Sequence, residues 1–289
     1  MTPTILGQAL VSGLLIGGIY ALVAAGLTLI FGVMKIVNFA QGNLLTLGMY
    51  ASFWLFTLYG IDPYLSILIV GPLMFGVGFL MQKIAIEPIL GEPDHNQLLL
   101  TLGIGLLIQN GILALWGASF RNATLWYSNV IYLVGDVAIS LPKVIAFVGA
   151  LLMLGLLYLL LEKTDLGRAM RAAAEETEGS LLVGVNVRNI YALAFGIGAA
   201  CAGVAGALIL PFFYVSPDVG DLFILTAFIV VVLGGMGSMA GSLVGGLMVG
   251  IAESIGAVVM PGSMKQVLLF GIFILVLLLR PTGLFGSKA

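Results

Sequence analysis

Residues 31–50 read FGVMKIVNFAQGNLLTLGMY and place Lys35, Asn38, Gln41 and Asn43 in the middle of nearly unbroken apolar sequence. Hydrocarbon offers amide and backbone groups no hydrogen-bond partner, so such an interruption must pack against protein or line a wet passage. The surrounding composition agrees. Hydrophobic residues make up 61% of the 289 and charged residues 8%, where a soluble domain carries about a quarter charged. Mean hydropathy is +1.20. These values predict an all-α, polytopic transmembrane bundle forming a single domain over residues 1–289, and the polar break points to passage through it.

Segments able to cross about 30 Å of hydrocarbon need about 20 residues each. They fall at 5–34, 44–59, 64–86, 97–117, 143–161, 189–211, 222–236, 241–260 and 265–280. Nine is the working count, with eight or ten spans left open. The first is too long for one upright helix, which predicts a tilted or broken one. The start, MTPTILGQ, lacks the basic region of a secretory signal, so the first segment is expected to be retained as a span.

The seventh and eighth segments flank GGMGSMAG. Gly234, Gly235, Gly237 and Gly241 each weaken a helix by about 1 kcal/mol, which favours an unwound stretch between two half-length spans. AQGNLLTLGMYA from Ala40 and MAGSLVGGLMVG from Met239 align Gly42 with Gly241 and Leu44 with Leu243. Two pseudo-repeated halves, each with a broken helix, are therefore expected, and such pairs point to a central pathway. The candidate pathway residues are Asn38, Gln41, Gly42, Asn43, Gly234, Gly235, Gly237, Ser238, Gly241 and Glu253, the last being the acid set well inside a predicted span. Interhelical hydrogen bonding is the competing role for the amides, and a paired structural acid for Glu253. Lys35 is expected to reach the interface by snorkelling. Glycines at four-residue spacing, such as Gly13 with Gly17 and Gly246 with Gly250, predict close helix packing.

Lysine and arginine bias connections toward the cytoplasm. With residues 162–188 inside, Lys35, Lys83, Lys163, Arg168, Arg171, Arg188, Arg280 and Lys288 fall inside, against Arg121, Lys143 and Lys265 outside. The N-terminus is then outside and the C-terminus inside. Residues 162–188 form the longest charged connection, with alanine and leucine at helical spacing, and read as a short surface helix that turns back at Gly184.

Several chemistries are excluded. Cys201 is the single cysteine and lies in an apolar run, so there is no disulfide framework and no thiolate metal cluster. The net charge of -2 provides no basic nucleic-acid face. An intramembrane hydrolase lacks its catalytic pair, since the one histidine, His95, lies in a connection. No GxxxxGK[ST] loop occurs, so ATP is not hydrolysed by this chain. No metal or cofactor is expected.

Three blocks carry a resemblance: YALVAAGLTLIFGVMKIVNFAQGNLLTLGMYASFW, GRAMRAAAEETEGSLLVGVNVRNIYALAFGIGAACAGVAGAL and VVVLGGMGSMAGSLVGGLMVGIAES, followed by RPTGLFG. In order and spacing, over nearly the whole chain, they resemble the branched-chain amino acid permease family of bacterial ABC importers, LivH type. The resemblance implies a non-enzymatic, multi-pass subunit of the bacterial cytoplasmic (inner) membrane. It would pair with a LivM-type permease, two cytoplasmic ABC ATPases and a periplasmic substrate-binding protein. It also implies that residues 162–188 dock on an ATPase, the matching positions being Arg168, Ala172, Ala173, Glu175, Leu181 and Gly184, with Arg171 on the Arg168 face. The family usually reads NFAHGE where this chain has NFAQGN, which makes the break neutral. An ABC permease for urea or short amides, or a self-sufficient secondary transporter or channel, stands as the alternative.

Overall fold

The computed structural model describes residues 3–260, 264–280 and 282–286. In chain order the elements are α1 (Pro3–Met34), α2 (Gln41–Tyr59), α3 (Pro63–Met81, prolonged by a wide and then a tight turn to Ile89), α4 (Asp94–Trp116), β1 (Ile131–Val134), β2 (Val137–Ser140), α5 (Leu141–Lys163), α6 (Asp165–Glu175), α7 (Thr177–Leu182), α8 (Val187–Ile209), α9 (Val219–Gly234), α10 (Met239–Val259) and α11 (Met264–Leu279). Each of the nine apolar segments folds as one helix. Among the described residues six helices are long and apolar enough to cross a membrane: α1, α3, α4, α5, α8 and α10. Among the apolar helices, α9 and α11 are shorter, and α2 opens on Gln41 and Asn43.

Local chemistry sets the boundaries. Side-chain oxygens of Asp62, Thr164, Asn186 and Ser238 accept the backbone N–H of Tyr64, Gly167, Asn189 and Gly241, satisfying first-turn donors of α3, α6, α8 and α10. Gly60, at φ 68°, closes α2. Asp62 also accepts Tyr127 Oη at 2.7 Å, which pins the α4–β1 connection to the start of α3. Burial and that carboxylate push the Tyr127 phenol above its ordinary range.

α1 runs unbroken for 32 residues. At 1.5 Å per residue this is about 48 Å, so the helix tilts or projects beyond the hydrocarbon. The sequence expectation of a tilted or broken first span resolves to an unbroken helix. β1 and β2 form an antiparallel hairpin that periodicity did not reveal.

α1 and α8 form the centre. The apolar windows of both are 83% buried, against 17–28% for α3, α4 and α5. They cross where Gly26 and Gly198 each lie against the other's carbonyl: a Cβ on either would approach that oxygen to 2.7–2.8 Å. α1 packs antiparallel to α10 through Gly13 and Gly17 on Gly250 and Gly246, while α8 packs antiparallel to α3 through Gly196 and Gly203 on Phe75 and Met74. Exchanging α1 with α8, α2 with α9, α3 with α10 and α4 with α11 reproduces the main helix–helix neighbours, although α11 packs on α10 whereas α4 meets α3 only at the wide turn that prolongs it. The halves are therefore an inverted repeat.

The repeat is real, but its register differs from the alignment of Gly42 with Gly241. Gly42, second residue of α2, meets Gly220, second residue of α9; a Cβ on Gly42 would stand 2.2 Å from the Gly220 oxygen, and one on Gly220 would stand 2.4 Å from the Gly42 oxygen. What recurs is a helix start that admits close backbone approach, and a glycine–leucine spacing occurs too often in apolar helices to identify it.

These contacts leave no room for a methyl group. Gly42→Ala and Gly220→Ala should each lower the thermal stability of the purified protein by about 1–3 kcal/mol or prevent folding. Gly103→Ala, where a Cβ meets nothing within 4 Å, should leave the melting temperature in detergent unchanged.

Candidate functional site

The site is built from two non-helical stretches that enter the bundle from opposite ends. Lys35, at φ 59°, reverses the chain at the end of α1. Residues 36–40 then run back into the bundle beside α4, where Thr101 Oγ1 accepts Phe39 N–H at 3.3 Å and lies 3.2 Å from the Val37 carbonyl. Asn38 Oδ1 accepts Ala40 N–H, Asn38 Nδ2 donates to Gln41 Oε1 at 3.1 Å, and Gln41 Nε2 donates to the Gly198 carbonyl at 3.0 Å. α2 thus begins level with the Gly26–Gly198 crossing, about two turns inside the end of α1.

The second stretch, residues 210–218, follows α8 from the other end. Val215 exchanges backbone hydrogen bonds with Arg121 at 3.0 and 2.8 Å, and Ser216 Oγ donates to Asp218 at 2.7 Å. α9 then begins against α2 at Gly220. The starts of two interrupted helices therefore meet inside the bundle, where backbone N–H groups and helix dipoles favour negative charge.

Asn38 and Gln41 are fully buried with their amides bonded inside the chain, whereas Asn43, also buried, has no partner for Oδ1 among the described residues. Beside them lies a residue that sequence reasoning missed. Asp221, in the first turn of α9, is exposed on the surface of the chain and accepts Gln109 Nε2 of α4 at 3.3 Å. Gln109 stands about two turns inside the Trp116 end of α4. Starting the seventh segment at residue 222 assigned Asp221 to a connection. The available signal was SPDVGDLF, a turn sequence with two acids running directly into an apolar helix.

The remaining pathway candidates lie elsewhere. Gly235, Gly237 and Ser238 form the α9–α10 connection at the Lys35 end, beside Gly32, with Gly234 closing α9 and Gly241 in the first turn of α10, and not a break within a span. Gly235 and Gly237 adopt φ 102° and 91°, Gly234 packs on Gly241, and the carbonyls of Leu233 and Gly234 accept Leu284 and Phe285 N–H. A 21-residue α10 follows, so the half-length span expected there is full length. Glu253 sits on the α1–α10 contact, where Tyr20 Oη donates to Oε2 at 2.6 Å.

Residues 162–188 form two helices, α6 and α7, where one was expected, because the chain becomes extended at Glu176 (φ −146°). α6 is clamped on the end of α5. Arg171 donates to the Leu161 carbonyl and lies 3.6 Å from Glu162, and Gly167 allows the approach. Arg168 pairs with Asp165. Arg168, Arg171, Ala172, Glu175, Leu181 and Gly184 are exposed, and Ala173 is buried against the bundle. Leu181, Leu182 and Val183 form an exposed apolar knob before Gly184 (φ 84°). A cavity of about 660 Å³ opens between α1, α5, α6 and α10 next to this helix.

Residues 9–277 match the family model described as the branched-chain amino acid transport system permease component. The chain belongs to this permease family. It is 35% identical to the high-affinity branched-chain amino acid transport system permease protein BraD of Pseudomonas aeruginosa, and 32% identical to the LivH permease of Salmonella typhimurium, over 96% of this chain and 95% of each relative. The LivM permease of Escherichia coli is 27% identical over 92% of this chain and 67% of its own length. No solved structure matches the chain.

For the permease, Gln41→Leu would remove the bond to the Gly198 carbonyl, which keeps its intrahelical bond, and strand Asn38 Nδ2 in a buried site. It should reduce stability by about 1–3 kcal/mol, read as a lower melting temperature of the purified protein. Asn43→Leu, which breaks no hydrogen bond of Oδ1, should cost less.

Proposed function

We propose that this permease is the transmembrane subunit of a binding-protein-dependent ABC importer for branched-chain amino acids, acting as one permease domain over its length. The observation that carries the proposal is the meeting of two interrupted helices inside the bundle, next to an acid and an amide that open on the surface of the chain. A transporter needs polar groups at membrane depth on a face that another subunit can close over. A LivM-type permease is the proposed second half of the pore, with Gly42 and Asn43 near the pathway and Asn38 and Gln41 holding their segment in place.

The proposed orientation puts the Lys35 end in the bacterial cytoplasm. Lys35, Lys83, Lys163, Arg168, Arg171, Arg188 and Arg280 lie toward that end and Arg121 and Lys143 toward the other, in line with the bias of cations toward the inside. The side chain of Lys265 and all of Lys288 lie outside the described residues. α6 and α7 then face the cytoplasmic ATPases. The apolar knob Leu181–Leu182–Val183 suits a cleft on such a partner, and the clamp of α6 on α5 would carry its movement into the bundle. Alternation between two pore arrangements, one favoured by the loaded periplasmic binding protein and the other by ATP, gives directional uptake.

The decisive measurement is uptake of labelled leucine into vesicles holding this chain with a LivM-type permease, two ATPases and a binding protein. Uptake should require ATP and all five components. Leucine flux through this chain without the ATPases would favour a secondary transporter or channel, and urea flux without leucine flux an amide permease.

Two further outcomes follow from the orientation and the knob. In a Cys201→Ser background, Leu182→Cys should react with membrane-impermeant thiol reagents only from the cytoplasmic side and Asp136→Cys only from outside. The double change Leu182→Asp and Val183→Asp should leave the protein inserted while the ATPases no longer co-purify and ATP-driven uptake falls about tenfold or more, the scale set by losing an apolar anchor at an interface.

A further inference from the structure

Among the described residues, the Asp221 carboxylate is held only by its place in the first turn of α9 and by one side-chain hydrogen bond. It is exposed at the start of a helix that begins inside the bundle, and no salt bridge among the described residues reaches it. Its one side-chain hydrogen bond comes from Gln109 at 3.3 Å. The neighbouring amide of Asn110 and hydroxyl of Thr226 are turned onto carbonyls of their own helices. On the same helix faces, Leu106 stands one turn before Gln109 and Leu225 one turn after Asp221, both with exposed apolar side chains. The surface is a single negative group set in an aliphatic wall, about two turns inside the end of α4.

A carboxylate at this depth cannot face lipid without a large cost. The first turn of α9 favours negative charge, and Gln109 orients it without neutralising it. An unneutralised anion beside leucine side chains fits a ligand with a cationic head and a branched aliphatic tail. Resting on the permease assignment, we propose that Asp221, oriented by Gln109, binds the ammonium group of the amino acid in the translocation pathway, while Leu106 and Leu225 receive its side chain. Asp221 is then a substrate-binding residue and Gln109 a positioning residue.

The test uses the five-component vesicles, with uptake counted per assembled complex. Asp221→Asn should lower leucine uptake about tenfold or more, a loss of about 1.4 kcal/mol or more, with the partner permease still bound and ATP hydrolysis still stimulated by loaded binding protein. Asp221→Glu, which keeps the charge, should restore most of the rate. Gln109→Leu should fall between Asp221→Asn and wild type. In the Cys201→Ser background, Asp221→Cys should react with a cationic methanethiosulfonate faster than with an anionic one, and leucine with binding protein should slow the reaction. Wild-type uptake by Asp221→Asn would overturn the assignment. Loss of the partner permease from Asp221→Asn with its return in Asp221→Glu would also overturn it, by making the carboxylate an ion-pair partner of the second subunit. An Asp221→Cys thiol that is unreactive in both resting and nucleotide-trapped complexes would place the residue outside the pathway. Failure of the permease assignment itself is read separately, from the wild type, as ATP-driven urea uptake without leucine uptake; it removes the ammonium site as well.

Discussion

Backbone-to-backbone contact between glycines is the constraint on which the rest of the bundle depends. In hydrocarbon no hydrophobic force drives helices together, so association rests on van der Waals fit and on hydrogen bonds that lipid cannot supply. Gly26 with Gly198 and Gly42 with Gly220 bring carbonyl oxygens to where a side chain would stand. The first pair lets the two central helices cross closely. The second lets two helix starts meet below the membrane surface, which is tolerable only because the non-helical segments leading to them are enclosed by α4, α8 and the Arg121 connection.

That enclosure sorts the polar residues by the direction in which they are satisfied. Asn38, Gln41 and Thr101 spend their hydrogen bonds on neighbouring backbone inside the chain and fix the first stretch. Ser52 with Ser66 at 2.7 Å and Thr28 with Ser242 at 2.7 Å do the same between helices. Asp221 and Gln109 look outward. In a soluble protein an exposed acid is unremarked, whereas on an otherwise aliphatic helical wall it indicates a surface that is covered or wet in the working assembly.

Much of this was legible in the sequence, for identifiable reasons. Nine apolar segments folded as nine helices because length and hydropathy alone decide what can cross a membrane. The break at residues 35–43 was legible because amides at that depth are conspicuous. GGMGSMAG is non-helical only at residues 235–238 and interrupts no span, since glycine content reports loss of helix and not depth. Depth came from the neighbour, Gly32 near the end of α1. Asp221 escaped because α9 starts at the depth of the bundle, so an acid that seemed to belong to a connection lies on the outer face of a helix below its ends. The hairpin was missed because four-residue strands give too short an alternation to recognise. The second helix of residues 162–188 depends on one extended residue, Glu176.

The burial of α1 bears on how the protein is made. Residues 17–30 are enclosed on every side, and Tyr20 bonds to Glu253, 233 positions later. The ribosome delivers α1 long before α8 and α10 exist, so the helix must first be stable alone in lipid and later exchange nearly all its lipid neighbours for protein. Its glycine surfaces at Gly13, Gly17 and Gly26 stay unmatched throughout that interval. The centre of the bundle is thus completed last, although its first helix is synthesised first, and an insertion machine or chaperone has a bare glycine-lined helix to shelter until the second half of the repeat arrives.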